Sequence, residues 1–407
     1  MKTRLLLRTM EKGSLLLLND IRIRNTLAIL RALLNHNGYS RVELAKEVGC
    51  DNTAVTRAIQ DLMSRGLVKS AGKTEAAHGR PREKLVLSDQ GALVLGISLR
   101  PNCIMATLSN LQGMLRNQSE HSFGAEVGWR EYLAVLDAVV SRMLALRDTR
   151  LAGTGISTFG PMVDREGVIM SNTANFPTQD GFDLKRHFMD KFKLQPLFAD
   201  MMICKMHYEL HTHPDFAQGN VLLVHLGQGI GLAMSCKGEI VMSRNQHGGE
   251  LGHNICEPDG LPCTCGRRGC LETRCSVKAV LNCARSEYGR ADMSLRELGE
   301  RYENGEAKAI EVVDNALRYM AIALANQANN CFPDSLILTG DLLFLGRTFQ
   351  RKLEESVRSL LFIGVNRAMK MIFQEGSGND AAGASLMVVD KLLSSPDAFN
   401  QACPRLD

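Results

Sequence analysis

Residues 247–272 read HGGELGHNICEPDGLPCTCGRRGCLE. Cys263, Cys265 and Cys270 are close enough in the chain to share one ion, and Gly266 and Gly269 permit tight turns between them. His253 precedes them across a loop that holds Pro258, Gly260 and Pro262. Zinc prefers four nitrogen or sulfur ligands in a tetrahedron, and a structural site closes all four positions with protein. His253, Cys263, Cys265 and Cys270 make such a Cys3His set, with no position open for an activated water. The plainer alternative is a loop of reduced thiols without metal. A DNA-binding zinc ribbon would ask for a second cysteine pair.

The rest of the chain sets the context for that knuckle. Its 407 residues exceed one ordinary domain, so two or three are expected. An apolar fraction of 45% and a charged fraction of 23% are those of a globular protein. No apolar run reaches the roughly 20 residues that span a bilayer, so no membrane partner is expected. Leu15–Leu18 are followed at once by Asp20, Arg22 and Arg24 without a small-residue cleavage site, which argues against a secretory signal. The twelve cysteines are scattered except for the knuckle, and reduced thiols in a cytoplasm are the expectation.

Charge divides the chain. Residues 1–85 hold 16 Lys and Arg against 8 Asp and Glu, a balance of +8, whereas the whole chain carries +4. A basic head on a mildly acidic body points to a polyanion as the partner of the head.

The head has the pattern of a winged helix-turn-helix. Leu27, Ile29, Leu30, Leu33 and Leu34 fall largely on one helical face. Ser40 followed by Glu43 forms a capping box for a second helix, and Gly49–Cys50 make the turn. Asp51 caps a third helix that runs to Gly66, with Val55, Ile59, Leu62 and Met63 inward. Its other face shows Asn52, Thr53, Thr56, Arg57 and Gln60, short polar and Arg side chains suited to base edges in a major groove. Two short strands then flank the basic loop HGRPREK, where Arg80 and Arg82 around Pro81 would enter a minor groove or clamp phosphates. A helical interaction domain with a basic face is the alternative, and most contacts of such domains go to phosphate.

From Gly91 the pattern becomes strand, turn, strand, repeated with glycines at the turns, with amphipathic helices between. An α/β body of two similar lobes is expected. The motif Gly-Glu-Leu-Gly-His followed by Cys-Thr-Cys-Gly-Arg-Arg-Gly-Cys-Leu-Glu closely resembles the signature of the ROK family of repressors and sugar kinases. With the winged head, the chain is similar to the transcriptional regulators of that family, from about residue 20 to about 395. The resemblance implies the two-lobed, actin-like (ribonuclease H-like) sugar-kinase fold.

Kinases of the family open the body with an Asp-x-Gly-Gly-Thr turn whose amides hold ATP phosphates. Here the turn is Ser98-Leu99-Arg100-Pro101-Asn102, without the Asp or either glycine, and Pro101 removes an amide. This departure argues against phosphoryl transfer. The second glycine turn, Gly227–Gly231, survives but has a structural explanation as readily as a nucleotide-binding one.

The resemblance also implies a sugar site. Asp200 stands where the kinases place their catalytic base, although its neighbours Phe198, Ala199 and Met202 depart from the family motif. It reads either as an acceptor for a sugar hydroxyl or as a buried structural acid. Glu250, His253 and Glu272 match family residues that reach sugar hydroxyls, with zinc on one nitrogen of His253 aiming the other outward. A solvated loop face is the alternative for the two glutamates. Asn175 matches the sugar-contacting Asn, with Asn172 close by as a competitor.

The expected organisation is a winged head at 1–88 and a first lobe at 89–205 joined by a helix at 380–400. A second lobe with the knuckle follows at 206–379. The expected function is a sugar- or sugar-phosphate-responsive DNA-binding regulator, a repressor of carbohydrate genes, that binds its operator as a dimer or tetramer and has no catalytic residues. The alternatives are an active ATP-dependent sugar kinase and a regulator controlled by a protein partner.

Overall fold

A computed structural model of the chain describes residues 21–34, 36, 38–73, 82–124, 127–159, 167–169, 181–243, 247–374 and 379–405. Arg80 and Asn175, expected in the wing and the sugar site, lie outside these residues.

The head comprises α1 (residues 21–34), α2 (Arg41–Val48), α3 (Asn52–Ser64) and the antiparallel pair β1 (Val68–Lys73) and β2 (Glu83–Leu87). Its local chemistry is that of the sequence. The Glu43 carboxylate accepts from the Ser40 amide at 2.7 Å while the Ser40 hydroxyl accepts from the Glu43 amide, a complete capping box. Asp51 accepts from the Ala54 amide at 2.8 Å and starts α3. Gly49 ends α2 at φ 71°, a conformation that favours glycine. Val55, Ile59 and Leu62 are buried, as the helical period requires.

The first lobe follows as β3 (Leu93–Arg100), β4 (Cys103–Asn110), β5 (Leu115–Ser122), α4 (Trp129–Ala145), β6 (Leu151–Thr158), α5 (Leu184–Phe192) and β7 (Leu197–Asp200). Helix α6 (Met201–Thr212) leaves directly from β7. The second lobe holds β8 (Asn220–Leu226), β9 (Ile230–Cys236), β10 (Glu239–Val241), α7 (Glu272–Cys275), α8 (Val277–Tyr288), α9 (Leu295–Glu303) and α10 (Ala307–Cys331). It continues with β11 (Ser335–Thr339), α11 (Arg347–Leu360), α12 (Ile363–Ala368) and β12 (Lys370–Gln374). The chain closes with α13 (Asp380–Ser394) and α14 (Pro396–Ala402).

The two lobes repeat one topology. The first sheet runs β5-β4-β3-β6-β7 and the second β10-β9-β8-β11-β12. In each, an antiparallel meander of three strands is extended by two parallel strands. Central β3 is buried on both faces, as a strand covered on two sides must be, while edge strand β5 is polar and exposed.

Helix α13 returns from the end of the second lobe to the first sheet. A Cβ at Gly96 of β3 would come within 1.9 Å of the Ala381 carbonyl, and one at Gly383 within 1.8 Å of the Cys204 carbonyl. Both glycines are therefore conditions of the close approach of α13 to β3 and to α6. Helix α6 runs through residues 205 and 206, the boundary expected between the lobes, and so serves as a shared element rather than a linker.

The head is not a separate bead. Leu30, Leu33, Ile59 and Leu62 of the head lie in one buried cluster with Val94, Leu111 and Ala152 of the first lobe and with Leu392, Leu393 and Phe399 of α13 and α14. Packing of this density transmits displacement rather than absorbing it.

Candidate functional site

The outer face of α3 carries Asn52, Thr53, Arg57 and Gln60 exposed, with Thr56 half-buried among them. The Thr56 hydroxyl donates to the Asn52 carbonyl at 2.8 Å, which leaves its oxygen to accept. Arg82 is exposed at the start of β2, beside the wing loop. The helix period brings the α3 side chains onto one exposed face.

In the second lobe, one ligand atom from each of His253, Cys263, Cys265 and Cys270 lies within 4.8 Å of the others. The Cys265 and Cys270 sulfurs are 3.7 Å apart, and Cys263 Sγ is 3.6 Å from His253 Nδ1. Two thiolates at about 2.3 Å from a tetrahedral zinc would be about 3.8 Å apart, so the donor set fits the metal. Burial tends to raise the Cys265 thiol, but hydrogen bonds from the Arg267 backbone and side chain bring it down to about 6. Cys270 is pushed up to about 12 by burial and by the neighbouring sulfurs. The arrangement can hold a metal ion with all four protein positions filled.

His253 joins the knuckle to a second group. While Nδ1 faces the sulfurs, Nε2 faces the Glu250 carboxylate at 4.0 Å. Glu250 is held above the ordinary carboxylate range by burial and then by the charge of Asp200. Glu272 is raised in the same direction by burial and by Glu250. A Cβ at Gly229, in the surviving glycine turn, would come 3.1 Å from Glu272 Oε2 and 3.9 Å from Phe159. Three carboxylates and an imidazole therefore converge beside the β8–β9 turn.

Asp200 is the innermost of them. One of its oxygens accepts from the Met202 amide at 2.7 Å and the Ile203 amide at 3.0 Å, which caps α6. The other accepts from the Gly248 amide and faces His247 Nδ1 at 3.8 Å. Burial dominates its chemistry and raises it to about 6, against the three amides that favour the anion.

At the end of β3, a buried charge network surrounds Asp380. The Arg100 guanidinium donates to Asp380, the first residue of α13. The Ser98 and Ser157 hydroxyls donate to the same carboxylate at 2.5 and 3.2 Å. Burial opposes the Asp380 charge, but Arg100 and then Lys205 hold the carboxyl below its usual range. Lys205 is itself lowered to about 8 by burial. A side-chain cation thus bonds a buried protein carboxylate at the end of β3.

Sequence reasoning missed three things here. The Arg100–Asp380 pair joins residues far apart in the chain, and no local pattern announces it. The clamp of Arg65 on the C-terminal segment was missed for the same reason. Its guanidinium donates to Asp61 Oδ2 at 2.9 Å and Asn400 Oδ1 at 3.0 Å and to the Cys403 carbonyl, while Arg405 donates to Asp61 Oδ1 at 2.6 Å. His247 was also passed over, although it opens the quoted motif.

The geometry agrees with comparisons to known proteins. Residues 24–69 match a winged helix-turn-helix DNA-binding domain, and residues 95–391 match the ROK family. A xylose repressor of Bacillus spizizenii is 21% identical over 373 residues, covering 91% of this chain and 96% of its own. The DNA-binding transcriptional dual regulator NagC of Escherichia coli is 21% identical over 382 residues, covering 91% and 93%. A solved ROK family transcriptional regulator, a homolog of the E. coli MLC protein, superposes with a TM-score of 0.79 at 19% identity, covering 94% and 99%. The chain is a member of the ROK family, with a winged helix-turn-helix domain ahead of its two-lobed body.

Proposed function

We propose that the protein is a DNA-binding transcriptional regulator, a repressor of carbohydrate genes, whose kinase-like body senses a sugar or sugar phosphate. The observation that carries this reading is the shared core of the head with α13 and α14. Helix α13 begins at the buried Asp380, bonded to Ser98, Arg100 and Ser157 of the first sheet, and its last turns share the core of the winged head. A ligand that biases the angle between the lobes would shift this helix, and with it the placement of α3 on DNA.

In this reading Asn52, Thr53, Thr56, Arg57 and Gln60 read the major groove, and Arg80 and Arg82 hold the wing against the duplex. Asn175, Asp200, Glu250, His253 and Glu272 take the sugar hydroxyls. Zinc at His253, Cys263, Cys265 and Cys270 is structural, and its bond to Nδ1 would aim Nε2 into the pocket. The protein works in the cytoplasm as a homodimer or tetramer, so that two heads meet two half-sites. The working units are a head at 1–88, a first lobe at 89–205 closed by α13–α14, and a second lobe at 206–379.

Catalysis is not part of the proposal. Pro101 withdraws an amide from the phosphate turn, and Arg100 already occupies Asp380. The rival reading, an ATP-dependent sugar kinase, rests on the surviving turn at Gly227–Gly231, where the Gly227 amide donates to the Gly229 carbonyl at 3.0 Å. The test begins with selection of a preferred sequence from randomised duplexes by the purified protein. Affinity for that sequence is then measured with and without free sugars and their 6-phosphates. No preferred sequence, or ATP turnover abolished by Asp200→Asn, defeats the regulator reading.

A further inference from the structure

We propose that His247 is a ligand-reading residue of the pocket and that it selects an uncharged polyhydroxy ligand over the corresponding phosphate ester. The inference rests on the sensor reading above and narrows it.

The backbone around His247 is pinned on both sides. Its carbonyl accepts from the Ser243 amide at 2.9 Å, and its own amide donates to the Ser243 hydroxyl at 3.1 Å. On the other side Gly248 donates to Asp200, and Gly249 exchanges two hydrogen bonds with Leu232 of β9. A Cβ at Gly248 would come 2.5 Å from the Leu232 carbonyl, so the segment lies close against β9. The ring is thereby delivered beside Asp200, with Nδ1 3.8 Å from Oδ2.

Both ring nitrogens are buried, and neither has a hydrogen-bond partner among the described residues. That is an unusual state for an imidazole, because every tautomer carries at least one N–H and buried polar groups are nearly always paired. Of the buried imidazoles among the described residues, His207 is paired with Asp390, and His225 lacks a partner at Nδ1 alone and is sealed within β8. The His247 side chain keeps 14% of its surface open, through atoms other than the two ring nitrogens. The pairing that the ring lacks inside the protein is left to a ligand or a water that reaches it beside Asp200.

The chemistry of the surroundings names the class of ligand. A neutral imidazole offers one donor and one acceptor, which matches a hydroxyl group that also donates and accepts. Burial lowers the basicity of His247, against the opposing charge of Glu250, and so favours this neutral form. A phosphate ester could use only the donor of a neutral ring and would bring its own negative charge to Asp200, Glu250 and Glu272. Carboxylates suit a polyol, since each accepts from hydroxyls, and repel an anion.

The experiment is calorimetric titration of the full-length protein with D-glucose, D-xylose, N-acetyl-D-glucosamine, glucose 6-phosphate and N-acetylglucosamine 6-phosphate. Wild type is compared with His247→Phe, which keeps the ring volume, His247→Gln, which keeps a donor and an acceptor, and Glu250→Gln. Unfolding midpoint and zinc content report the integrity of each variant. The expected result is a free sugar that binds wild type at least tenfold more tightly than either phosphate ester. His247→Phe should lose tenfold or more in that affinity, and His247→Gln should recover most of it. If His247→Phe does not fold, His247→Leu is read in its place. Equal affinity of His247→Phe and wild type, with loss only in Glu250→Gln, overturns the role of His247 and leaves the sensor reading standing. Tighter binding of a 6-phosphate overturns the ligand class. No binding of any of the five by intact wild type overturns the sensor reading and the inference with it.

Discussion

The Arg65 guanidinium at the end of α3 lies 5.0 Å from the centre of the Phe399 ring in α14. Asp61, beside it, is shared between Arg65 and Arg405, and the Asp61 and Arg65 side chains are 6% and 9% exposed. Helix α3 is therefore tied to the C-terminal segment by the Arg65 hydrogen bonds to Asn400 and Cys403 and by the Asp61–Arg405 pair. Removing one partner of the buried Asp61–Arg65 pair leaves a buried charge, which costs on the order of 3 kcal/mol. Arg65→Met should lower stability by about that amount in urea unfolding. It should also weaken operator binding more than sugar binding, because it loosens the head and leaves the pocket intact.

A second prediction concerns pH. The Asp200 carboxyl is at about 6 in the folded protein, above its ordinary 3.8, because of burial. The folded state then holds a proton that the unfolded chain releases. Its contribution is fully present below about pH 4 and is lost as pH rises through about 6. Two units correspond to roughly 3 kcal/mol. The difference in stability between pH 4.5 and pH 7 should shrink in Asp200→Asn relative to wild type, read from urea midpoints.

Metal content is the third. One zinc per chain is expected by elemental analysis, and Cys263→Ser or Cys270→Ser should reduce it. Chelation should weaken the sugar response before the intrinsic DNA affinity of the head, because the knuckle positions His253 and does not touch α3. Equal loss of both would assign the knuckle to support of the whole assembly.

The end of β3 supplies a fourth. With Arg100 bonded to Asp380, titration with Mg-ATP should give no heat and a coupled assay no turnover. Arg100→Ala should not create a phosphate site, since Pro101 remains. It should cost on the order of 3 kcal/mol by stranding Asp380, which is 1% exposed.

On DNA, Arg57→Ala should cost about 2 kcal/mol against the selected sequence and relax the preference at one base position. Arg82→Ala should instead weaken binding to all duplexes and lower the salt dependence. A uniform loss from Arg57→Ala would move that side chain to the phosphate backbone.

What could be read without coordinates was local. The capping box of Ser40 and Glu43, the Asp51 cap and the apolar stripe of α3 involve residues within a few positions of each other, so their spacing carries the geometry. The Cys3His set was legible for the same reason, because its four ligands fall within one loop. The strand-turn-strand rhythm indicated two similar lobes, and the repeated sheet order agrees.

Relations across the chain were not legible. Nothing near Arg100 in sequence indicates Asp380, and nothing near Arg65 indicates Phe399 or Arg405. The lobe boundary was expected between 205 and 206, yet α6 continues through it because Asp200 caps that helix and α13 packs along it. His247 reads in sequence as one more residue before two glycines. Its significance comes from the pinned backbone and the proximity of Asp200. Local spacing thus determined the elements, their caps and the knuckle, since short-range hydrogen bonds and helical periods are written in neighbouring residues. Which buried charges meet, and how the head is fastened to the body, was decided only by long-range packing. The energy of those contacts depends on burial that no single segment possesses by itself.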